Sequence, residues 1–169
     1  GNMINSITNG NGYLNGNKLA GKIEELELPA IKLKMEEITA LGMFGSTEIP
    51  VGLEKMEAKF KWNSIYPENW KDESPFKSCR IIVKSDMVTN GAGGQQNHSA
   101  VTVTIAGIFK EFPIGSIKPG AKQDGLEHLM AVNYLKVEVA KQLLYEVDVF
   151  NNVYKQGNTD LLNYFKANT

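Results

Sequence analysis

The 169-residue chain has a single cysteine, Cys79, and only two histidines, His98 and His128. One cysteine excludes an internal disulfide framework and a cysteine-based zinc site. The histidines are far apart in sequence, and neither falls in a ligand spacing with nearby Cys or carboxylate residues, so no metal centre is expected. No run approaches the ~18 consecutive apolar residues of a membrane-spanning helix. The Asn- and Gly-rich stretch 1–21 also lacks the apolar core of a secretory signal. The expectation is a soluble chain made in a cytoplasm, with no membrane partner. Charge is balanced at 18 Lys plus Arg against 19 Asp plus Glu, a net of -1, so no bulk field draws the protein onto nucleic acid.

Catalytic constellations are equally scarce. The glycines of 91–94 are followed by neither Lys-Ser nor Lys-Thr and precede a strand-like segment, whereas a phosphate cradle needs a helix N-terminus. The acid pairs Glu24/Glu25 and Glu36/Glu37 sit on strand-like segments where adjacent side chains face opposite ways, which suits solvated faces better than an acid–base couple. Cys79 lies on an apolar strand face and reads as a small buried hydrophobe rather than a thiolate nucleophile. Trp62 and Trp70 could stack on a sugar or base, but their segments place them in a core. No catalytic residue, cofactor or metal is expected.

What the sequence does contain is alternation. With 42% hydrophobic and 22% charged residues, it can build a packed core, and its length suits one domain. Apolar residues recur at every second position in 31–35, 56–62, 79–83, 101–105, 135–139 and 143–149, which predicts half-buried strands. The last two, joined by a short turn at 140–142, read as an antiparallel hairpin. Pro67, followed by Glu68 and Trp70, predicts a short helix near 67–73 that Pro75 stops. Asn158 with Asp160 and the stripe Leu161, Leu162 and Phe165 predicts a C-terminal helix. The fold class is all-β dominated (α+β), an antiparallel β-barrel or sandwich edged by these helices. Phe60, Trp62, Trp70, Val137 and Val147 are the candidate core. The polar, glycine-rich segment 90–97 reads as an exposed flexible tip.

One segment is too apolar for an ordinary loop. Between Glu36 and Glu54 stand Leu41, Met43, Phe44, Ile49, Val51 and Leu53, interspersed with glycines and Pro50. Flanked by strands, 36–54 reads as an extended hairpin arm whose apolar side chains another subunit buries, which makes these six residues the candidate inter-subunit contacts. From the residues alone, a self-assembling β domain and a monomeric ligand-binding β-barrel both remain open.

The segment Leu26–Trp70 makes the reading more specific. Its LP followed by alternating IKLKMEE, the ALGM-x-G loop, the strand LEKMEAKFKWNS and the Y-P-x-x-W turn resemble the major tail tube proteins of contractile-tailed, P-two-like temperate phages. The N-terminal TNGNGYLNG, FKEFPIG at Phe109–Gly115 and a late tyrosine-bearing strand pair extend the likeness over nearly the whole chain, while the glycine-rich NGAGGQQNHSA loop departs from it. Met3 behind Gly1 and Asn2 reads as a native start after a short added remnant, and the resemblance implies one tail-tube domain over 3–169. It implies a virion structural subunit, not an enzyme, that closes into hexameric rings stacked as a hollow tube inside a contractile sheath. It further implies, as partners, other copies of the chain, the tail sheath protein, and tail terminator, baseplate and tape-measure proteins, with DNA only as non-specific passing cargo during ejection. The location implied is the virion tail, after assembly in the host cytoplasm, and a headless contractile bacteriocin tube is the alternative particle.

Overall fold

A computed structural model describes residues 6–15, 17–39, 41–42, 44–70, 77–90, 92–94, 96–110 and 122–161. Eleven strands run through these residues: β1 (Ser6–Leu14), β2 (Lys18–Glu27), β3 (Leu33–Ile38), β4 (Thr47–Leu53), β5 (Met56–Ile65), β6 (Cys79–Asn90), β7 (Gln96–Phe109), β8 (Lys122–Val139), β9 (Gln142–Asp148), β10 (Val153–Gln156) and β11 (Thr159–Asp160). Six of them close a barrel in the order β8-β5-β2-β1-β6-β7 and back to β8. Every pairing is antiparallel. Closure leaves these strands few free edges, the usual liability of a sheet protein.

β8 serves two structures at once. Its first part pairs with β5 from Ser64↔Lys122 to Met56↔Val132, and its last part pairs with β9 from Tyr134↔Asp148 to Val139↔Gln142. From β9 the sheet continues to β10 and β11 outside the barrel. The turn into β9 contains only Ala140 and Lys141, both at positive φ (51° and 65°). That is the backbone of a type I′ hairpin turn, whose twist matches the flanking strands.

The alternation predicted for β5, β6, β7, β8 and β9 marks the face turned to the single hydrophobic core. Phe60, Trp62, Trp70, Val137 and Val147 are all buried there. Phe60 stacks on Trp62 at 5.5 Å between ring centres, Trp70 meets Trp62 edge-on at 6.1 Å, and Phe109 packs on both Phe60 and Trp70. The Trp70 Nε1–H donates to the Ala20 carbonyl at 3.0 Å and the Asn69 amide to the Leu19 carbonyl at 2.7 Å, which ties this segment to the start of β2. Two glycines make the packing possible. A Cβ on Gly21 would lie 2.3 Å from the Ser64 carbonyl oxygen and 2.9 Å from the Trp62 ring, and one on Gly107, at the β7 bulge, 2.0 Å from the Ala131 carbonyl oxygen.

The structure departs from the sequence-based expectations in several places. The N-terminal stretch, read only as Asn- and Gly-rich, contributes the barrel hairpin β1–β2. Strand 31–35 is shifted to Leu33–Ile38 and is largely exposed rather than half-buried, because its partner is β4 in a separate two-stranded sheet and not the barrel. The helix near 67–73 is a 3-10 turn over Pro67–Asn69 ahead of the buried Trp70, and 71–73 lie outside the described residues. Asn158 sits in the turn between β10 and β11 rather than at a helix cap, Thr159 and Asp160 pair with Gln156 and Lys155, and the first helical residue is Leu161, the start of the predicted stripe. The stripe residues Leu162 and Phe165 lie outside the described residues. The ends of the 90–97 tip are strand, with β6 running to Asn90 and β7 starting at Gln96, and a 3-10 turn at Ala92–Gly94 stands between them.

Candidate assembly site

Two features of the surface stand out: the β3–β4 arm and the outer faces of the barrel. In the arm, Leu33 lies opposite Leu53 at the base and Ile38 opposite Thr47 near the tip. The base is anchored, because the Glu54 N–H donates to the Lys32 carbonyl at 2.9 Å and both Ile31 and Leu53 pack on the core. Gly42 and Gly45 turn the tip at φ of 85° and 109°, conformations costly for any residue with a Cβ. Leu41 and Phe44 project from that tip at 106% and 108% relative exposure, uncovered by the described residues of their own subunit. Val51 is also exposed, Ile49 and Leu53 are half-buried, and Met43 lies outside the described residues. Met35 and Ile38 extend the exposed apolar surface.

The arm is also acidic. From Met35 to Glu54 it carries Glu36, Glu37, Glu48 and Glu54 and neither Lys nor Arg. Glu37 and Glu48 stand directly opposite one another across the two strands. Like charges in that position repel and destabilise a strand pair.

The barrel's outer surface has two characters. Over β2, β5 and β8, charges are matched within the subunit: Lys61 with Glu24 at 3.9 Å, Lys59 with Glu127 at 3.1 Å and Lys110 with Glu57 at 2.5 Å. The Lys110 ammonium holds the Glu57 carboxyl below its usual range, and Glu127 raises the Lys59 ammonium above its own.

Over β1, β6 and β8 the cations have aromatic neighbours instead. The Arg80 guanidinium lies 5.2 Å from the Tyr134 ring centre and the Lys84 ammonium 5.5 Å from that of Tyr13. Such contacts attract cations to a ring face without neutralising them. The Tyr134 hydroxyl donates to Glu146 at 2.5 Å, and burial together with that hydrogen bond pushes its ionisation well above the usual range. A cleft of about 370 Å³ opens beside Arg80 and Tyr134, bounded by Asn133, Asp148 and the turn that carries Phe150. Phe150 is 79% exposed. Sequence reading missed Arg80, Tyr134 and Phe150 as a group. Only the pairings Arg80↔Ala106 and Ala106↔Tyr134 bring the first two together.

The arrangement offers surfaces for contact rather than a reaction centre. Aromatic side chains fill the barrel interior, and among the described residues no three His, Cys, Asp or Glu side chains converge as metal ligands. His128 is buried beside Trp62 and Phe109, where burial pushes its imidazole down to about 4, so it is neutral near pH 7.

Comparison with known proteins agrees with this reading. The chain is 25% identical over 153 residues to the major tail tube protein of Serratia phage KSP20, an alignment covering 88% of this chain and 85% of that one. A family model described as phage tail tube protein FII matches residues 4–168. A closed barrel with a projecting apolar arm and this match over nearly its whole length place the chain in that family, as a non-enzymatic structural subunit of a phage tail tube.

Proposed function

We propose that the chain forms one tail-tube domain over 3–169 and closes into hexameric rings that stack as the hollow tube within a contractile sheath, the conduit for genome delivery. The observation that carries this reading is the arm. Exposing Leu41 and Phe44 completely, on an anchored two-stranded sheet with apolar residues along its length, costs hydration free energy that burial against another subunit removes. The 36–54 arm, with Leu41, Met43, Phe44, Ile49, Val51 and Leu53, contacts a subunit of the neighbouring ring. Sheath, terminator, baseplate and tape-measure proteins are the tail partners, and duplex DNA is cargo that passes without being held. Assembly takes place in the host cytoplasm.

Light scattering and negative-stain electron microscopy of the purified chain test the proposal, with six-fold rings and stacked tubes as the expected result. Replacing Met43 and Phe44 with Asp abolishes tubes while circular dichroism still reports a folded β protein. A chain that stays monomeric at high concentration, or tubes that persist in this variant, would overturn the proposal.

A further inference from the structure

The arm carries exposed acids and an exposed aromatic tip, and the Arg80 face carries exposed cations beside an open cleft. On the arm, Glu37 and Glu48 face each other with Lys34 as the nearest cation on either strand, paired toward the base with Gly52, and Phe44 extends beyond them at the tip. On the barrel, Arg80 and Lys84 lie on the outward face of β6 with Ile82 between them. Among the described residues neither forms an ion pair. Of the acids nearby, Asp148 is engaged by the Asn151 side chain and Glu146 by Tyr134, while Asp86 is next along β6 on the same face. The stripe therefore offers two cations that no described carboxylate pairs with directly, beside an open cleft rimmed by an exposed phenylalanine.

We propose that the Glu37–Glu48 pair and the Phe44 tip of one copy dock on the Arg80–Lys84 stripe and the Phe150 cleft of a second copy. This rests on the tube reading above and names the surface that receives the arm. The cations would relieve the repulsion built into the arm, and Arg80, with its planar fork of donors, suits a carboxylate partner.

Position within the subunit supports the same conclusion. The Asn15 N–H donates to the Arg80 carbonyl at 2.9 Å, so the stripe begins beside the β1–β2 turn. The arm follows the opposite end of β2, after Glu27. β2 is ten residues long, which separates the two ends by about 30 Å. An arm at one end and its receiver at the other make a head-to-tail contact, the kind that propagates a stack instead of closing a dimer.

The test compares the unmodified chain with three variants: E37K/E48K, R80E/K84E and the combination of all four changes. Tube yield is measured by sedimentation and electron microscopy, and folding by circular dichroism. The expected result is that each charge-reversed pair alone cuts tube yield at least tenfold while leaving folded subunits, and that the combined variant recovers it. Phe150→Ala, at an exposed position, lowers yield without changing the melting temperature. As a direct check, oxidised tubes of F44C/F150C give a ladder of covalent multimers on a non-reducing gel, and neither single variant does. If R80E/K84E assembles like the unmodified chain, or the combined variant fails to recover, or assembled F44C/F150C tubes give no ladder, this pairing is overturned while the tube reading stands. An unmodified chain that never forms rings or tubes overturns both.

Discussion

Buried His128 makes stability depend on acidity. Its imidazole titrates near 4 in the fold and about 6.5 when unfolded, so between those values the unfolded chain binds the additional proton. The contribution of the neutral ring is complete above about pH 6.5 and is lost as the pH falls through 4. A shift of this size corresponds to roughly 3 kcal/mol. Thermal melts between pH 7 and 4.5 are expected to show a marked fall in Tm for the unmodified chain and a shallower fall for His128→Gln. Equal slopes would mean that other groups dominate. Residue-level properties of this kind were not legible beforehand: His128 was recognisable as an unlikely ligand from its isolation in the sequence, but its place between Trp62 and Phe109 depends on the β5–β8 register.

Among elements, those with one apolar and one polar face were the easiest to read. In β5, Met56, Ala58, Phe60 and Trp62 point inward, while Glu57, Lys59 and Lys61 take part in the outer ion pairs. Phe60→Ala is therefore expected to destabilise by about 4 kcal/mol, lowering Tm by roughly 10 °C. Lys59→Ala, which removes only an exposed ion pair, leaves the melt nearly unchanged. Similar losses from the two would contradict the register. The hairpin β1–β2 escaped the same logic because three of its buried positions are Gly10, Gly12 and Gly21. Where an aromatic ring presses on the backbone, the side chain that would mark the inward face has to be absent, and hydrophobic periodicity goes blank. Strand 31–35 misled in the opposite sense, since its alternation suggests a buried face that the barrel does not supply. The β8–β9 turn offers a gain: Ala140→Asn with Lys141→Gly places the residues a type I′ turn favours at two positive-φ positions, and should add about 1 kcal/mol to unfolding in urea.

At the scale of the molecule, a conduit must let its cargo move. Each Lys or Arg contact to phosphate would add affinity that opposes sliding, and the chain's net charge of -1 gives no general attraction. Assembled tubes should therefore not retain duplex DNA in a filter-binding measurement at physiological salt. Tight, salt-sensitive retention would mean that the bore displays exposed cations.

Barrel closure sets a time as well as a shape. The contacts that close it join residues far apart in the chain: Leu14 pairs with Ile81, and Met56 with Val132. Bringing such distant segments together costs loop entropy before any contact repays it, and proteins dominated by long-range strand pairing fold in milliseconds to seconds. Until β1 meets β6, the edge of β6 is open and the Arg80 stripe has no flanking Tyr13 strand. Newly made chains thus become competent for polymerisation only after this slow step. In refolding from denaturant, tube growth would begin with a lag equal to the barrel's own folding time, and that lag would not shorten as protein concentration rises.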